Sequence, residues 1–346
     1  SNVSELKIVD GSAITMTAEQ ALQLNGDNFS AVVESAAESA QVHITGVTQS
    51  ALDAGLADVV DAFANAGVTA GSVELVEDVN LSASQLNDVT DESNLSLLAE
   101  GVRVNVEMDE TPVGTNPSDG VQSDGVTSYV VTDVAEGVSD GEFFVSNNTL
   151  GLETLGLRDN AGYEITFGGV KRTADFLLEG DGFADWDEQE KELTNPDVTA
   201  IGTLIGNYFT PNNPEAVVDI NNQGTPLGEA SVAGEQRAIT VDGVVINNAL
   251  NVVVNVADGS ATIGNFAGDQ AETLTVTNPD GDVTNWIDSE GALTGIDAAG
   301  VSGSFTLGIG GFDDSFNPAD FIGVTVDLSG TSLTDVDTIA LAGDSN

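Results

Sequence analysis

The chain has 346 residues, with 57 acidic and 7 basic side chains, a single histidine and no cysteine, and its formal net charge is −50. A field this negative repels phosphate backbones and anionic lipids, which argues against nucleic-acid binding, and no apolar run is long enough for membrane insertion. Charged residues are 18% and hydrophobic residues 40% of the chain, so the acidity reflects a shortage of Lys and Arg in a sequence that can bury a core.

The segment 1–110 alternates strand and helix patterns. The apolar residues of Ser50–Ala66 recur on one helical face, which predicts an amphipathic helix. Shorter helices are predicted to begin after Thr17 and after Ser82. The predicted strands are Leu6–Val9, Ile14–Met16, Val42–Thr45, Val73–Val76, Val79–Leu81 and Val102–Met108.

Two stretches of this region resemble each other. Leu6–Leu22 and Val73–Leu86 both have the pattern of a strand, an acidic turn, a second strand and then Ser/Thr-Ala-x-Gln. The last pattern is typical of a capping box, in which a hydroxyl and an amide bind the free N–H groups at a helix start. We therefore predict a structural repeat, although any strand–helix junction can recruit such residues. The two predicted boxes are Thr17 with Gln20 and Ser82 with Gln85.

A change in composition near residue 110 predicts a boundary. Asp109–Thr127 contains prolines and glycines without a sustained apolar pattern, which is typical of a linker or a long surface loop. We therefore expect an α/β repeat-like domain at 1–110, a linker at 111–127 and a mainly β domain at 128–346.

The second part of the chain predicts mainly β structure. Short alternating or β-branched runs are separated by turn clusters such as Asn278–Asp282, which favours β-sandwich or β-solenoid modules. Helix is predicted only at Asp185–Leu193 and Val198–Tyr208. The predicted strands are Tyr129–Val134, Glu142–Val145, Tyr163–Phe167, Ala216–Ile220, Ala238–Ile246, Leu250–Val256, Leu274–Thr277, Ser304–Ile309 and Gly323–Leu328.

The end of the sequence resembles its beginning. Val336–Ser345 aligns with Val3–Ser12 as V-x-x-φ-x-φ-x-x-x-S, where φ is apolar. Tandem repeat proteins have this property, because each unit needs a neighbour to bury its open face. We expect one period, or a few modules, of a longer repetitive protein or polymer, either mature or an excised fragment, since the chain opens on a strand pattern instead of a signal peptide.

These motifs carry a family resemblance. Leu328–Leu341, followed by a segment like Leu6–Leu22, resembles parts of giant repetitive bacterial adhesins of the RTX type and of RTX-related S-layer proteins. The resemblance implies a secreted, extracellular cell-surface protein of an aquatic bacterium with a structural or adhesive role. The glycine-rich nonapeptide of RTX calcium rolls is absent, so the resemblance does not extend to calcium.

The case for calcium comes from the carboxylates themselves. Calcium takes oxygen ligands, and the residue types present exclude thiolate and multi-histidine metal sites. The stretch from Glu179 to Glu188 matches positions 3, 5, 6, 9 and 12 of an EF-hand-type loop, but Leu177 would occupy position 1 and cannot ligate. An acidic turn capping a solvated helix is the alternative. The candidate ligands are Glu179, Asp181, Asp185, Asp187 and Glu188.

Two further acidic turns beside strands are weaker calcium candidates. For both, a solvated turn is the more common interpretation of such a sequence. Their candidate ligands are Asp280 and Asp282, and Asp313 and Asp314.

The sequence contains no convincing catalytic pattern. Gly137–Gly141 matches the G-x-S-x-G string, but a strand is predicted after it where that motif requires a helix. His43 lies far upstream in a predicted strand and is expected to be a half-buried strand residue. Trp186 and Trp286 each lie beside an acidic loop, which suits either loop packing or a small sugar site.

We therefore expect a non-enzymatic structural or adhesive module of a bacterial surface layer, filament or giant adhesin, stabilised by calcium. Its expected partners are neighbouring copies or modules of the same protein. The alternatives are a calcium-dependent domain that binds carbohydrates such as surface glycans, and a secreted polysaccharide-acting enzyme that uses paired carboxylates.

Overall fold

A computed structural model shows that the chain is mainly β, with short helices in its first part only among the described residues. Contacts between Cα atoms divide it into two compact units. Unit 1 comprises Ser1–Val138 and Glu142–Thr154, and unit 2 comprises Ser139–Gly141 and Leu155–Asn346. The structure describes residues 5–8, 12–24, 30–33, 41–65, 70–90, 95–109, 112–118, 120–135, 140–146, 149–158, 163–180, 184–187, 192–196, 199–222, 238–257, 259–279, 283–287, 293–302, 305–309, 325–327 and 338–341.

Unit 1 is a parallel sheet whose strands are connected largely by helices. Its strand order is β2-β4-β5-β7-β8, with β6 also paired to β7, and β1 pairs separately with β3; all of these pairs are parallel. The elements are β1 (Glu5–Ile8), β2 (Ala13–Thr17), α1 (Ala18–Leu22), β3 (Ser30–Val33), β4 (Gln41–Val47), α2 (Gln49–Asp53), α3 (Leu56–Asn65), β5 (Ala70–Leu75), β6 (Val79–Ser82), α4 (Ala83–Thr90), β7 (Leu95–Met108), β8 (Ser123–Val134) and β9 (Asp140–Phe144).

The helices of unit 1 form because their apolar faces pack against the sheet and against one another. Helix α4 contacts β6, β7 and α3, and α1 contacts β2, β4 and α3. The predicted apolar face of Ser50–Ala66 is confirmed, although the segment divides into α2 and α3 at a turn containing Gly55, whose φ is +90°. The residues of that face, all buried, are Leu52, Leu56, Val59, Val60 and Phe63.

The predicted repeat within unit 1 is confirmed by its element order. Both stretches form two strands followed by a helix: β1, β2 and α1 in the first, and β5, β6 and α4 in the second. Both capping boxes are present. Gln20 N donates to Thr17 Oγ1 at 3.3 Å and Thr17 N to Gln20 Oε1 at 2.9 Å, while Gln85 N donates to Ser82 Oγ at 3.1 Å and Ser82 N to Gln85 Oε1 at 3.0 Å.

The predicted linker at 111–127 lies within unit 1, and the two units divide further along the chain. Val113 and Val121 are buried and form parallel bridges with Phe143 and Val145. Strand β8 begins at Ser123, inside the predicted linker. Isolated valines among prolines and glycines do not form a periodic pattern, so no local signal indicates that these residues are buried.

Unit 2 contains two parallel sheets, and most consecutive strands lie on alternate sheets. Sheet I has the order β10-β12-β16-β18-β20-β22-β24 and sheet II the order β11-β15-β17-β19-β21-β23-β25, while β13 and β14 form a separate antiparallel pair. The strands are β10 (Thr154–Arg158), β11 (Glu164–Val170), β12 (Asp175–Gly180), β13 (Ala184–Asp187), β14 (Glu192–Pro196), β15 (Thr199–Tyr208), β16 (Ala216–Asn222), β17 (Ala238–Asn247), β18 (Asn251–Ala257), β19 (Ser260–Ala267), β20 (Thr273–Asn278), β21 (Val283–Ile287), β22 (Gly295–Val301), β23 (Phe305–Ile309), β24 (Thr325–Asp327) and β25 (Thr338–Leu341).

The later strands of unit 2 repeat at a constant spacing along the chain. In sheet II, Ile239 pairs with Ala261, Ala261 with Val283 and Val283 with Phe305, so 261 − 239, 283 − 261 and 305 − 283 each equal 22. Sheet I has the same spacing where Val252 pairs with Leu274. Each segment of this length therefore adds one strand to each sheet, a repeat that our sequence analysis did not detect.

Both helices predicted in the second part of the chain are wrong. The described residues of Asp185–Leu193 belong to β13 and β14, and Val198–Tyr208 corresponds to β15. In β15, Gly202 lies against Tyr163, because an added Cβ would lie 1.9 Å from the Tyr163 carbonyl oxygen. Glycine disfavours a helix and permits such close approach of another backbone, so these residues suit a strand. The nine predicted strands are confirmed, with shifted ends.

The interior of unit 2 lies between its sheets. Phe176 is fully buried, and its ring centroid lies 5.6 Å from that of Tyr208 and 6.4 Å from that of Phe167. Gly206 makes room for this ring, because an added Cβ would lie 2.3 Å from the Phe176 Cζ atom. The aromatic cluster therefore joins residues of β12 on sheet I to residues of β11 and β15 on sheet II.

Candidate functional site

The start of the predicted calcium loop lies on sheet I, beside a group of carboxylates. Phe176 pairs with Val218 in the parallel register of β12 and β16. This register places Asp175 diagonally opposite Asp219 on one side and near Glu215, just before β16, on the other. Three acidic residues therefore lie close together on β12 and at the start of β16, with Asp175 and Glu215 exposed and Asp219 half-buried.

One of these carboxylates, Asp175, has a raised pKa. Partial desolvation, with the negative charges of Asp219 and Glu215 adding to it, raises the pKa of Asp175. Burial raises the pKa of Tyr208 well above its usual range, and the nearby Asp175 carboxylate acts in the same direction. The Tyr208 hydroxyl donates to the Ala174 carbonyl oxygen at 3.2 Å, so it holds the chain just before β12.

Glu179 is the predicted ligand that the structure describes most fully. It lies in β12 opposite Asn221 of β16, and only 2% of its surface is exposed. A buried carboxylate needs polar partners to offset its desolvation, and Glu179 has one. Glu179 is therefore a buried residue of β12, whereas Asp175 on the same strand is exposed.

Of the other predicted ligands of the loop, the structure describes only Asp185 and Asp187, and these by their backbone. Asp185 and Asp187 lie in β13, and the helix that Glu188 was expected to begin is replaced by strand β14 where the structure describes it. Within the described ranges, no group of three or more His, Asp or Glu side chains could hold a metal ion. The predicted ligands that lie outside the described residues are Asp181, Glu188, Asp280, Asp282, Asp313 and Asp314.

The outer surface of sheet I contains a row of side-chain hydrogen bonds. Asn255 donates from Nδ2 to Asp219 Oδ1 at 2.9 Å, and Thr277 Oγ1 donates to Asn255 Oδ1 at 2.8 Å. Near the start of the same strands, Thr273 Oγ1 donates to Asn251 Oδ1 at 2.6 Å. These contacts join equivalent residues of neighbouring strands, and an amide supplies the donor that Lys or Arg would otherwise give to Asp219.

This row was missed at the sequence level. The pairs Asn251–Thr273 and Asn255–Thr277 are both separated by 22 residues, which is the strand-pairing period of unit 2. A search for polar residues recurring at that spacing would have found them.

The single histidine has a structural contact. His43 lies in β4, half-buried as predicted, and its Nδ1 atom is 2.8 Å from Ser72 Oγ of the neighbouring strand β5. Ser72 is 8% exposed. A nucleophile–base pair also needs a group that orients the histidine, and no hydrogen bond from such a group to His43 occurs among the described residues. The predicted strand after the G-x-S-x-G string is confirmed as β9.

The comparisons with known proteins do not assign a family. No model of a protein family, no curated protein and no solved structure matches this chain. Among the helices that the structure describes, none is both long and apolar enough to cross a membrane.

Proposed function

We propose that this protein is an extracellular, non-enzymatic structural module of a bacterial surface layer, filament or giant adhesin, and that unit 2 is a β-solenoid. The observation that carries the proposal is the pairing of strands at a constant spacing on two alternating parallel sheets. Parallel pairing favours a solenoid over a β-sandwich, whose sheets are antiparallel. A chain that adds similar rungs gains length and stiffness with each repeat, which suits a spacer or a lattice element.

The polar surface supports the same role. The hydrogen bonds between Asp219, Asn255 and Thr277 run across neighbouring strands, so the surface of the sheet is held together by side chains as well as by the backbone. Such a row orders the surface of the sheet, which suits a structural element.

Calcium, or another divalent cation, supplies the missing positive charge in this proposal. With 57 carboxylates and 7 basic side chains, at least 50 acidic groups (57 − 7) have no basic side chain to pair with. Partial burial raises the pKa of Asp175, and the negative charges of Asp219 and Glu215 add to this effect. Divalent cations screen the repulsion between crowded carboxylates, and carboxylate oxygens are the ligands that calcium prefers.

Thermal unfolding tests the calcium part of the proposal. In moderate salt, removing calcium with a chelator should lower the melting temperature by about 5–10 °C, the shift expected when a cation at about a hundred times its Kd is lost. Added magnesium and additional sodium chloride serve as controls, because screening alone responds to both. Coincident melting curves with calcium and with chelator would refute calcium stabilisation.

Electron microscopy tests the structural part. Purified protein with calcium should form ordered sheets or fibres if the chain is a lattice or filament element, and elongated single particles if it is an adhesin module. Compact, irregular particles in every condition would contradict the structural role.

A further inference from the structure

Sheet II contains a column of threonines at equivalent positions of adjacent strands. Thr240 pairs with Thr262, Thr262 with Thr284, Thr284 with Thr306, and Thr306 with Thr338. Adjacent strands are about 4.8 Å apart, so the five positions span about 19 Å. Ile239 and Val241, on either side of Thr240, are buried, and Thr240 itself is half-buried. Because alternate residues of a strand face opposite sides, Thr240, Thr262 and Thr306 lie on the outer face of the sheet, and the register aligns the positions of Thr284 and Thr338 with them.

The strands of sheet II contain fewer charged residues than those of sheet I. The strands of sheet II from β15 to β25 contain one carboxylate, Asp242, and no basic residue. The strands of sheet I from β12 to β24 contain five carboxylates, which are Asp175, Glu179, Asp219, Asp297 and Asp327. In a chain with a net charge of −50, a strand layer this poor in charge suits a partner that is itself uncharged.

The regular spacing of the threonines also limits the kinds of molecule that can bind to the column. Each threonine hydroxyl offers one donor and two acceptor sites. A single hydrogen bond from a solvent-exposed hydroxyl contributes little affinity. Several hydroxyls at a constant spacing can bind simultaneously to a partner whose own groups repeat along its length, and the affinity then increases. A neutral chain of sugar units carries hydroxyl groups at regular intervals and meets both requirements.

We propose that the outer face of sheet II in unit 2 binds an extended, neutral polysaccharide that lies along the threonine column, across the strands. The register that aligns the threonines and the low charge of the strands of sheet II carry this proposal.

Binding at this face does not depend on the calcium proposal, because the column consists of threonines and the strands of sheet II from β15 to β25 contain a single carboxylate, Asp242. The full chain should therefore be retained on insoluble cellulose or chitin in the presence of a chelator, and it should not bind alginate, an anionic polysaccharide that the net charge repels. Retention in the presence of chelator would support polysaccharide binding even if calcium had no effect on the melting temperature.

Two matched variants locate the surface. Thr262→Arg places a long side chain in the middle of the column and should weaken retention at least about tenfold, the loss typical of disrupting one central contact. Thr275→Arg makes the same change at a half-buried threonine of sheet I and should leave retention unchanged. Thr262→Ser, which keeps the hydroxyl, should retain most of the binding. Melting curves establish that each variant is folded, and Thr240→Arg and Thr306→Arg replace Thr262→Arg if it is not.

The proposal is overturned if the parent chain binds no neutral polysaccharide, or if folded Thr262→Arg and Thr275→Arg bind equally well. It is also overturned if the parent binds no polysaccharide but slows the growth of ice crystals, and if Thr262→Arg removes that effect. In that case the regular hydroxyls would match a crystal of water and not a sugar chain.

Discussion

The two units of this protein cover their parallel sheets in different ways. In unit 1, helices such as α1 and α4 pack on the sheet, whereas in unit 2 sheet II takes that place opposite sheet I. Both units pair strands in parallel, and both bury a continuous apolar interior. Parallel pairing of the strands therefore does not determine whether helices or a second sheet cover the first sheet.

In the regular repeat of unit 2, the length of the connection favours a strand over a helix. In unit 1, the connection 48–69 separates β4 from β5 and includes α2 and α3. In unit 2, the shorter connection 258–272 separates β18 from β20 and includes β19. A segment of about eight residues spans about 26 Å as a strand but only about 12 Å as a helix. A short connection that must return to the start of the next strand can therefore cover the distance only if most of it is extended.

The largest expected effects come from removing a central ring in each unit. Phe63→Ala in the helix layer and Phe176→Ala between the sheets should each lower the free energy of unfolding by about 3–5 kcal/mol, because both side chains are buried and neither cavity can collapse fully. Denaturant unfolding measures the loss, and hydrogen exchange locates it. We expect lost protection in β4, β5 and β7 for Phe63→Ala, and in β12 and β15 for Phe176→Ala. If protection in unit 1 stayed unchanged, its helices would not be part of the core.

A second comparison uses one glycine from each unit. Gly206→Ala should cost about 1–3 kcal/mol because its Cβ would overlap the Phe176 ring. Gly46→Ala meets no atom within 4 Å, but φ is +71°, so it should cost about 1 kcal/mol from backbone strain.

Asparagine separates these two causes. Asn tolerates a positive φ, so Gly46→Asn should recover stability relative to Gly46→Ala, while Gly206→Asn should be worse than Gly206→Ala. Melting temperatures of the four variants provide the measurement. If the Ala and Asn variants changed the melting temperature in the same way at both sites, close packing against Phe176 would not be the reason for glycine at position 206.

The smallest effect concerns the acidic group on sheet I. The pKa of Asp175 is raised in the folded state, so its ionised form destabilises the fold at neutral pH. Asp175→Asn should raise the melting temperature by about 1–2 °C at pH 7, since an exposed group contributes less than about 1 kcal/mol. This gain should shrink as the pH falls through the raised pKa, and it should vanish below the ordinary aspartate pKa of about 3.9.

Asp242→Asn on sheet II is the control for this change, because it also removes one exposed carboxylate from unit 2. A gain of the same size and pH dependence at Asp242 would show that net charge, and not the crowding around Asp175, is the cause.

Local patterns in the sequence predicted local structure well. The capping boxes at Thr17 and Ser82, the apolar helix face ending at Phe63 and the alternating strands such as Val102–Met108 all depend on residues a few positions apart. Contacts over that range are set by the geometry of a single helix or strand, which the sequence expresses directly.

The errors arose where distant residues decide the structure. Val198–Tyr208 has apolar spacing that fits a helix, but Gly202 and Gly206 in it serve close contacts with Tyr163 and Phe176, which the sequence alone does not place nearby. The helix predicted at Asp185–Leu193 is also wrong, because the chain pairs β13 with β14 there. Neither tertiary contact has a local signature.

By itself, the sequence determined the charge, the mainly β composition and the starts of the first helices, because these follow from residue types and short spacings. Only the tertiary structure decided that the strands pair in parallel at a constant period. It also decided that Thr240, Thr262 and Thr306 belong to one column and that Asp219, Asn255 and Thr277 share hydrogen bonds. The physical reason is that the strand register depends on the number of residues the chain uses to pass once through both sheets. That number depends on the width of the core between the sheets.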